Sequence, residues 1–266
     1  MTELAAADGR TVREVPPAPP LTSLTLVLPC HNEAENLGWL LPHTVEVLPH
    51  LARSWDLVLV DDGSTDGSGE IATRMAADLG IRLQVLRHAE KSGYGKTVGD
   101  GLRAARADYV AFTDADGQFE IADLALLIPL LDRADLAAGW RRERRDARAR
   151  ELVSWVFNTL VTVLYRLPYR DVDCALKLMR REVLDSVRLE ARSALINAEL
   201  YYKARHAGWR IAQVPVPHHP RVAGRRSGAR PRAILRAIKE LVLFRLRIGR
   251  SLPARGSARR MGGSTR

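Results

Sequence analysis

Asp108-Tyr109-Val110-Ala111-Phe112-Thr113-Asp114-Ala115-Asp116-Gly117-Gln118 is the stretch from which the rest of the chain can be read. Its first five residues, β-branched and aromatic in the middle, predict a short buried strand. Two carboxylates one residue apart then fall in the loop beyond the strand end. Like charges held that close cost free energy unless something positive lies between them. A hard divalent cation answers that need, and Mg²⁺ commonly takes one or two carboxylates together with substrate phosphates. The other reading is a solvated acidic turn in which Gly117 supplies a positive φ. Taken alone, Asp-x-Asp favours the turn, and the surrounding chain shifts the balance.

Upstream, Leu24–Leu28 reads as a strand closed by Pro29, with Asn32 placed to cap a helix running toward Leu41. Asp56–Val60 is a second strand. It is followed by Asp61-Asp62-Gly63-Ser64-Thr65-Asp66-Gly67-Ser68, a turn rich in capping residues and small enough for close ligand approach, and by a helix over Glu70–Leu79. Arg82–Leu86 is a third strand, and Gly93-Tyr94-Gly95-Lys96 opens a helix through Ala105. Strands and helices alternating over short connections predict an α/β fold with a mostly parallel sheet flanked by helices. Ligands in such sheets bind beyond the carboxyl ends of the strands. The turns at Pro29–Glu33, Asp61–Ser64 and Asp114–Gln118 all lie at those ends. Glu90 stands where a phosphate-loop motif needs its first glycine, and the Asp61 turn lacks Gly-x-Gly-x-x-Gly, which disfavours a P-loop nucleotidase and a dinucleotide-binding dehydrogenase.

Downstream, the pattern predicts a helix over Ile121–Leu131 and a strand over Leu136–Trp140. Six arginines lie between Arg141 and Arg150, either as a solvated loop or as a phosphate clamp just past a strand end. Leu152–Leu164 is strongly apolar but too short to span a bilayer, and reads as a core or membrane-surface helix. Short helices are expected near Arg181 and over Ala198–His206, and Trp209–Val216 reads as an edge strand interrupted by Pro215. From Arg232 to Arg250, Arg232, Arg236, Lys239, Arg247 and Arg250 cluster on one side of a helical wheel. Ile234, Leu235, Ile238, Leu241, Val242 and Ile248 occupy the other, with Leu243 and Arg245 out of place. Such a helix either docks with a basic exposed face or lies in a membrane interface with its cations over anionic headgroups; the dominance of arginine favours the interface.

The 266 residues carry a net charge of +10, unevenly spread. Residues 221–266 hold thirteen arginines and Lys239 against Glu240 alone, a net of +13, so the other 220 residues sum to −3. A mildly acidic body with a basic C-terminal segment suits an anionic partner. The segment lacks interleaved aromatics apart from Phe244 and no nucleic-acid-binding motif is present, so no specific nucleic-acid partner is expected. Residues 1–20, with four prolines and no apolar core, read as a disordered lead-in, 21–231 as the catalytic unit, 232–250 as the basic helix and 251–266 as a disordered basic tail. Cys30 and Cys174 form no metal or redox spacing, and no run approaches the ~20 apolar residues of a spanning helix. A cytoplasmic protein, peripheral on the membrane face, is the expectation.

In their order, these motifs resemble the family 2 glycosyltransferases with the GT-A fold, and within them the polyprenyl-phosphate (dolichol-phosphate) sugar transferases. The likeness runs from Leu24 to Leu246. Leu28-Pro29-Cys30-His31-Asn32-Glu33 is similar to the family's Pro-x-Tyr-Asn-Glu, with His31 in place of the tyrosine. Val60–Asp66 resembles the second motif, whose first Asp contacts the nucleobase, and Asp114–Gln118 the metal motif with the glutamine of the polyprenyl-phosphate branch. Gly139-Trp140-Arg141 and Asp171–Leu178 follow acceptor-side elements, and His219–Ser227 a late segment on the donor diphosphate. The resemblance implies a nucleotide-sugar site, for a GDP- or UDP-sugar, over Pro29, His31, Glu33, Asp61, Asp62, Gly63, Lys96, Asp114 and Ala115. It implies Mg²⁺ or Mn²⁺ on Asp114, Asp116 and Gln118, and acceptor or phosphate contacts from Arg141, Arg145, Arg225 and Ser227. Asp116, Arg221 and Asp173 are the expected catalytic residues.

The reaction so implied is sugar transfer with inversion to a polyprenyl phosphate, its leaving diphosphate stabilised by the cation and by Arg221. A phosphate acceptor is already ionised and needs no strong base, whereas a soluble hydroxyl acceptor calls for a carboxylate, Asp173 or Glu199. A nucleotidyltransferase and a basic nucleic-acid-binding protein are the more distant alternatives.

Overall fold

The structure, a computed structural model, describes residues 20–142, 158–221 and 239–246, and two short strand pieces nearer the N-terminus. Those pieces, Leu4–Ala5 and Thr11–Val12, pair antiparallel inside the segment read from sequence as a disordered lead-in. Arg145, Arg225, Ser227, the first part of the basic helix and the 251–266 tail lie outside the described residues.

A near-continuous apolar run makes β1 (Leu21–Cys30) the centre of the molecule: Leu24, Leu26, Val27 and Leu28 are all buried. A strand apolar on both faces needs cover above and below, which is the pattern of parallel sheets. It is followed by α1 (Ala34–Leu51), β2 (Ala52–Asp61), α2 (Ser68–Asp78), β3 (Leu83–Arg87), α3 (Tyr94–Ala104) and β4 (Tyr109–Phe112). Beyond these lie β5 (Leu136–Arg141), α4 (158–165), β6 (Lys177–Arg180), α5 (Arg181–Asp185), α6 (Leu195–His206), β7 (Ile211–Val216) and α7 (239–246). The sheet order is β3-β2-β1-β4-β6-β5-β7. β6 alone runs antiparallel to its neighbours, β4 and β5. The carboxyl ends of β1, β2, β4 and β5 therefore share one rim with the amino end of β6.

The α/β expectation holds, with local corrections. Ile121–Leu131 is two 3₁₀ segments, Ile121–Leu126 and Ile128–Asp132, rather than one α-helix. Pro129 has no N–H for the carbonyl four residues back and its ring crowds that carbonyl. Asn32 does not cap α1: Glu33 holds that position without a side-chain bond, while Asn32 is left-handed at φ 57 and its Oδ1 accepts from Thr65 N at 2.8 Å. α1 also runs past Leu41 to Leu51 through Pro42 and Pro49, carried by the buried face of Leu37, Leu40, Leu41, Thr44, Leu48 and Leu51. Tertiary packing of an apolar face outweighs local propensity here. β7 is an edge strand, where Pro215 removes no ladder bond from a neighbour on its open side.

α7 docks through Leu241 and Phe244. The ring of Phe244 sits 5.5 Å from Tyr165 and 5.9 Å from Tyr202, and the Tyr165 hydroxyl donates to Leu241 O. Val242, placed on the apolar side of the wheel with Leu241, is instead exposed, as are Leu243 and Leu246. No helix among the described residues is long and apolar enough to cross a membrane.

Because Leu26 is fully enclosed between helices, truncation leaves a cavity that the sheet cannot close. Leu26→Ala should lower the unfolding free energy by about 2–5 kcal/mol in urea titration, with an unchanged m-value.

Candidate active site

The rim starts with the ends of β1 and β2, stitched together where Asp62 N donates to Cys30 O at 2.8 Å. Buried Asp61 folds its own turn by accepting from Ser64 N at 2.9 Å through Oδ1. Gly63 sits at φ 67, and a Cβ there would come within 2.8 Å of the Glu90 and Lys91 backbone, so the turn packs backbone to backbone against the segment after β3. Asp62 ties the same segment down. Its Oδ1 meets His88 Nδ1 at 2.8 Å and Ser92 N at 2.7 Å, and its Oδ2 accepts from Gly93 N at 3.0 Å. Burial works to raise its carboxyl, but these bonds outweigh it and hold Asp62 below the ordinary range. His88 Nε2 continues to Asp100 at 2.8 Å, and Asp100 takes Lys96 Nζ at 2.5 Å. Asp62 and Lys96, both expected at the nucleotide sugar, are thus joined through His88 and Asp100 in one network. His31 Nδ1 is buried without a hydrogen-bond partner.

Across the rim, Asp114 and Asp116 follow β4, and Gly117 takes φ 73 to turn the chain. Asp116 Oδ1 accepts from Gln118 N at 3.1 Å, and its Oδ2 lies 3.4 Å from Arg221. The same guanidinium donates to Glu33, whose other oxygen accepts from Asn36 at 2.5 Å. Arg221 therefore bridges the β1 and β4 loops, from 188 residues beyond Glu33 and 105 beyond Asp116. Burial raises Glu33 above the usual carboxylate range against the pull of Arg221 and Asn36. Gln118 turns its Nε2 to His219 O at 3.3 Å, fastening the segment after β7 that carries Arg221. Asp114 is pushed up to about 7, by burial first and by Asp116 second. Its Oδ1 is buried with no hydrogen-bond partner.

That orphaned oxygen, beside a second carboxylate, fits a divalent cation. Among the described residues no three His, Cys, Asp or Glu side chains converge as a metal cage. The chain itself brings two carboxylates, the donor set with which Mg²⁺ relies on phosphate oxygens and water for the remainder.

Arg141, expected as a free phosphate ligand, is half of a buried fork: its Nε and Nη2 reach Asp171 at 2.7 and 2.6 Å, and its backbone N reaches the same carboxylate at 3.0 Å. A buried guanidinium demands such a partner, and a phosphate has to share Arg141 with Asp171. Asp173 lies close enough to Tyr94, Arg141 and Lys177 for its charge to act on each. Glu199, the other candidate base, is spent elsewhere, accepting from Glu190 N and Ala191 N at 2.9 and 2.8 Å and pairing with Lys203 at 2.7 Å. Pro29 and Ala115 are buried, at the ends of β1 and β4. The sequence reading passed over Tyr94, Lys177 and Asn197, which crowd behind Asp114. Lys177 alone carried a signal, a solitary charge in the apolar run Cys174–Met179.

A sequence profile of glycosyl transferase family 2 matches residues 25–188, most of the sheet and the whole first half of this site. The chain belongs to glycosyl transferase family 2. This glycosyltransferase is 29% identical over 208 residues to a dodecaprenyl-phosphate galacturonate synthase of Rhizobium johnstonii, covering 76% of this chain and 60% of that protein. It is 33% identical over 211 residues to an uncharacterized glycosyltransferase of Mycobacterium tuberculosis, covering 76% of this chain and 88% of that one. An undecaprenyl-phosphate 4-deoxy-4-formamido-L-arabinose transferase of Salmonella choleraesuis is 26% identical over 209 residues, 78% of this chain and 63% of that protein. The chain thus spans under two thirds of the two relatives named for polyprenyl phosphates. Among solved structures, glucosyl-3-phosphoglycerate synthase of Mycobacterium tuberculosis in complex with Mn²⁺, UDP and glucosyl-3-phosphoglycerate superposes with a TM-score of 0.63 at 20% identity, over 84% of this chain and 80% of that one. The same synthase with Mg²⁺ and UDP gives 0.63 at 21% identity, over 84% and 79%. The fold is that of the GT-A glycosyltransferases.

The Asp114 shift has a measurable sign. Its folded value stands above an unfolded value of about 4, so its contribution to stability is complete below about pH 4 and is lost as pH rises through about 7. Metal ligation requires the ionised form. Mn²⁺ affinity, followed by titration calorimetry, should therefore climb up to about tenfold per pH unit below 7 and level off above it.

Proposed function

We propose that this family 2 glycosyltransferase moves a sugar, with inversion, from a nucleoside-diphosphate sugar to a polyprenyl phosphate at a membrane surface. The observation that carries the reading is the orphaned Asp114 Oδ1 beside Asp116, set against Arg221 at the common end of β1 and β4. A divalent cation would answer the two carboxylates, and a nucleoside diphosphate would pair with the cation and the arginine. The UDP in the solved relatives favours a uridine donor over a guanosine one. Pro29, His31, Glu33, Asp61 and Gly63 line the side of the rim where the nucleoside belongs, with Asp62 and Lys96 holding its wall.

Asp114 and Asp116 are the residues that would hold Mg²⁺ or Mn²⁺, with the Gln118 side chain keeping the Arg221 segment in place. When bound, the cation acts as a Lewis acid on the diphosphate. In the transfer, an acceptor oxygen forms a bond to the anomeric carbon from the face opposite the diphosphate. The bond from that carbon to the β-phosphate oxygen breaks, and its electron pair leaves with the nucleoside diphosphate. Arg221 meets the charge that develops there. A lipid phosphate arrives ionised, so Asp173 serves best as a charge that keeps Arg141 and the acceptor loop in register rather than as a base.

Two observations support the lipid acceptor: the relatives named for dodecaprenyl and undecaprenyl phosphates, and the surface of α4 and α7. The exposed large hydrophobics among the described residues are Val163 on α4 and Val242, Leu243 and Leu246 on α7. Exposed Lys239 and Arg245 flank them. Apolar side chains framed by cations suit the headgroup region of an anionic bilayer.

With UDP-sugars, Mn²⁺ and undecaprenyl phosphate, wild type should release UDP and form a glycosylated lipid, while Asp116→Asn loses activity by about 100-fold or more at unchanged melting temperature. Transfer to water-soluble hydroxyl acceptors in place of the lipid would displace the lipid reading, and activity of the variant in EDTA would displace the metal one. For the surface, wild type should co-sediment with phosphatidylglycerol vesicles, and Leu243→Asp with Leu246→Asp should reduce the bound fraction several-fold. Equal binding by the pair would refute the interfacial role.

A further inference from the structure

Arg221 stands on a short segment that is pinned just before it. His219 N donates to Gln118 O at 2.9 Å, Gln118 Nε2 donates back to His219 O at 3.3 Å, and the His218 ring lies 5.3 Å from that of Phe119. The guanidinium two residues on is thereby delivered to the loop that carries Asp116. Its Nη1 lies 3.4 Å from Asp116 Oδ2, and its Nη2 donates to Glu33 Oε1. None of the three side chains is more than 13% exposed, so salt screens the cluster weakly.

The contact falls on a carboxylate that the cation needs. Asp116 Oδ1 accepts from Gln118 N at 3.1 Å, and Oδ2 is the oxygen facing the guanidinium. A carboxylate can serve two partners, but a guanidinium and a divalent cation on the same one repel each other, strongly so where the medium screens poorly. Tethering sharpens the competition. A cation attached to the chain meets the carboxylate at an effective concentration in the millimolar range, with no translational freedom to lose. A diphosphate is the partner able to draw it off, since it offers the planar fork bidentate pairing and brings negative charges of its own.

We propose that Arg221 is a tethered counter-cation that competes with the divalent metal for Asp116, so that metal binds weakly until a diphosphate draws the guanidinium away. This rests on the reading of Asp114 and Asp116 as the metal-holding pair. The exchange orders the site. Metal alone meets a carboxylate already neutralised, whereas a diphosphate removes the competitor and supplies ligand oxygens in the same event. Glu33, the other anchor of the guanidinium, keeps its bond from Asn36 Nδ2 at 2.5 Å when Arg221 turns to phosphate. An opposite charge within about 4–6 Å changes the proton affinity of a carboxylate by about 10–1000-fold. A metal ion draws on the same carboxylate charge, so the lower end of that range is the expected effect of Arg221.

The test reads Mn²⁺ binding to the full chain by the loss of the free-ion electron paramagnetic resonance signal at pH 8, without nucleotide. Arg221→Gln should lower the Mn²⁺ dissociation constant about tenfold or more, and adding Asp116→Asn should abolish that binding. In calorimetry without metal, the same Arg221→Gln should weaken UDP binding about tenfold. A substitution that tightens one ligand and loosens the other is not the mark of a merely structural role. Arg221→Gln leaves Glu33 buried without its cation and is exposed to misfolding. Arg221→Gln combined with Glu33→Gln removes that charge, and should bind Mn²⁺ about tenfold more tightly than Glu33→Gln alone. Mn²⁺ binding that Asp116→Asn still abolishes, but that Arg221→Gln leaves within twofold or weakens in both backgrounds, would overturn the competition and leave the metal site standing. UDP binding unchanged by Arg221→Gln would overturn the hand-over to phosphate. Saturable Mn²⁺ binding absent from wild type and every variant, or indifferent to Asp116→Asn, would overturn the metal reading and this inference with it.

Discussion

Carboxylates crowded at the end of a parallel sheet are the constraint on which the rest of the site depends. Glu33, Asp114 and Asp116 come from two loops that the β1–β4 pairing forces side by side, and each lies largely out of water. Left alone, they would repel one another in a medium that screens poorly. The chain meets this with two cations of different kinds. Arg221, with its planar fork, reaches two carboxylates at once from the front. Lys177, a point charge behind the sheet, is held by Val172 O, Cys174 O and Asn197 Oδ1 and acts on Asp114 by its charge, which leaves the front open. The asymmetry is chemically useful, since the front is where a diphosphate and its cation add charges of their own.

The position of Lys177 follows from topology. Had β6 run parallel to β4, its first residue would lie at the opposite end of the sheet, some four residues from the rim. Running antiparallel, it brings Lys177 level with Phe112, two residues before Asp114, and brings the 171–174 loop to the same rim. Asp171 then closes on Arg141 at the end of β5, so one short loop carries the partner of a buried arginine and the carbonyls of a buried lysine. A buried pair of this sort is weak evidence for stability, because desolvation consumes most of the Coulomb gain. Its value is in geometry, since a charge without its partner is so costly that the loop has few other places to be.

Much of this was legible in the residues. The apolar runs Leu24–Leu28, Asp56–Val60 and Tyr109–Phe112 have strand length and flanking turns, and short connections made a parallel sheet the economical reading. The acidic turns followed from it, since such sheets bind ligands at their carboxyl ends. What failed was local or long-range. Pro129 splits an apolar helical pattern that periodicity alone does not penalise, and Asn32 looks like a cap until its left-handed backbone sends its side chain to Thr65. For Arg141, expected at an acceptor or phosphate, and Lys96, expected at the nucleotide sugar, composition shows a cation without showing its partner in the fold. Asp171 and Asp100, which occupy them, are thirty and four residues away. The Lys177–Asn197 contact joins two elements twenty residues apart, and only the lysine's apolar neighbours hinted that its charge was buried.

The surface helix is joined to this chemistry by the single acid of the basic segment. Glu240 Oε2 accepts from Ser193 N at 3.0 Å and Arg192 N at 3.3 Å, just before α6 begins. In the same turn Arg192 O accepts from Gly95 N at 3.1 Å, in the first turn of the helix that Tyr94 opens. A carboxylate is well suited to this spot, where backbone N–H groups at the approach to a helix have no intrahelical acceptor. Two hydrogen-bonded steps therefore separate the apolar face of α7 from the helix end that bears Tyr94. Leu241 and Phe244 fix the tilt of α7 against Tyr165 and Tyr202, while Glu240 fixes its register along the 191–193 turn. A bilayer that received Val242, Leu243 and Leu246 would meet the sheet rim at one orientation, set by the packing of α7 rather than by the long-range pull of the basic segment.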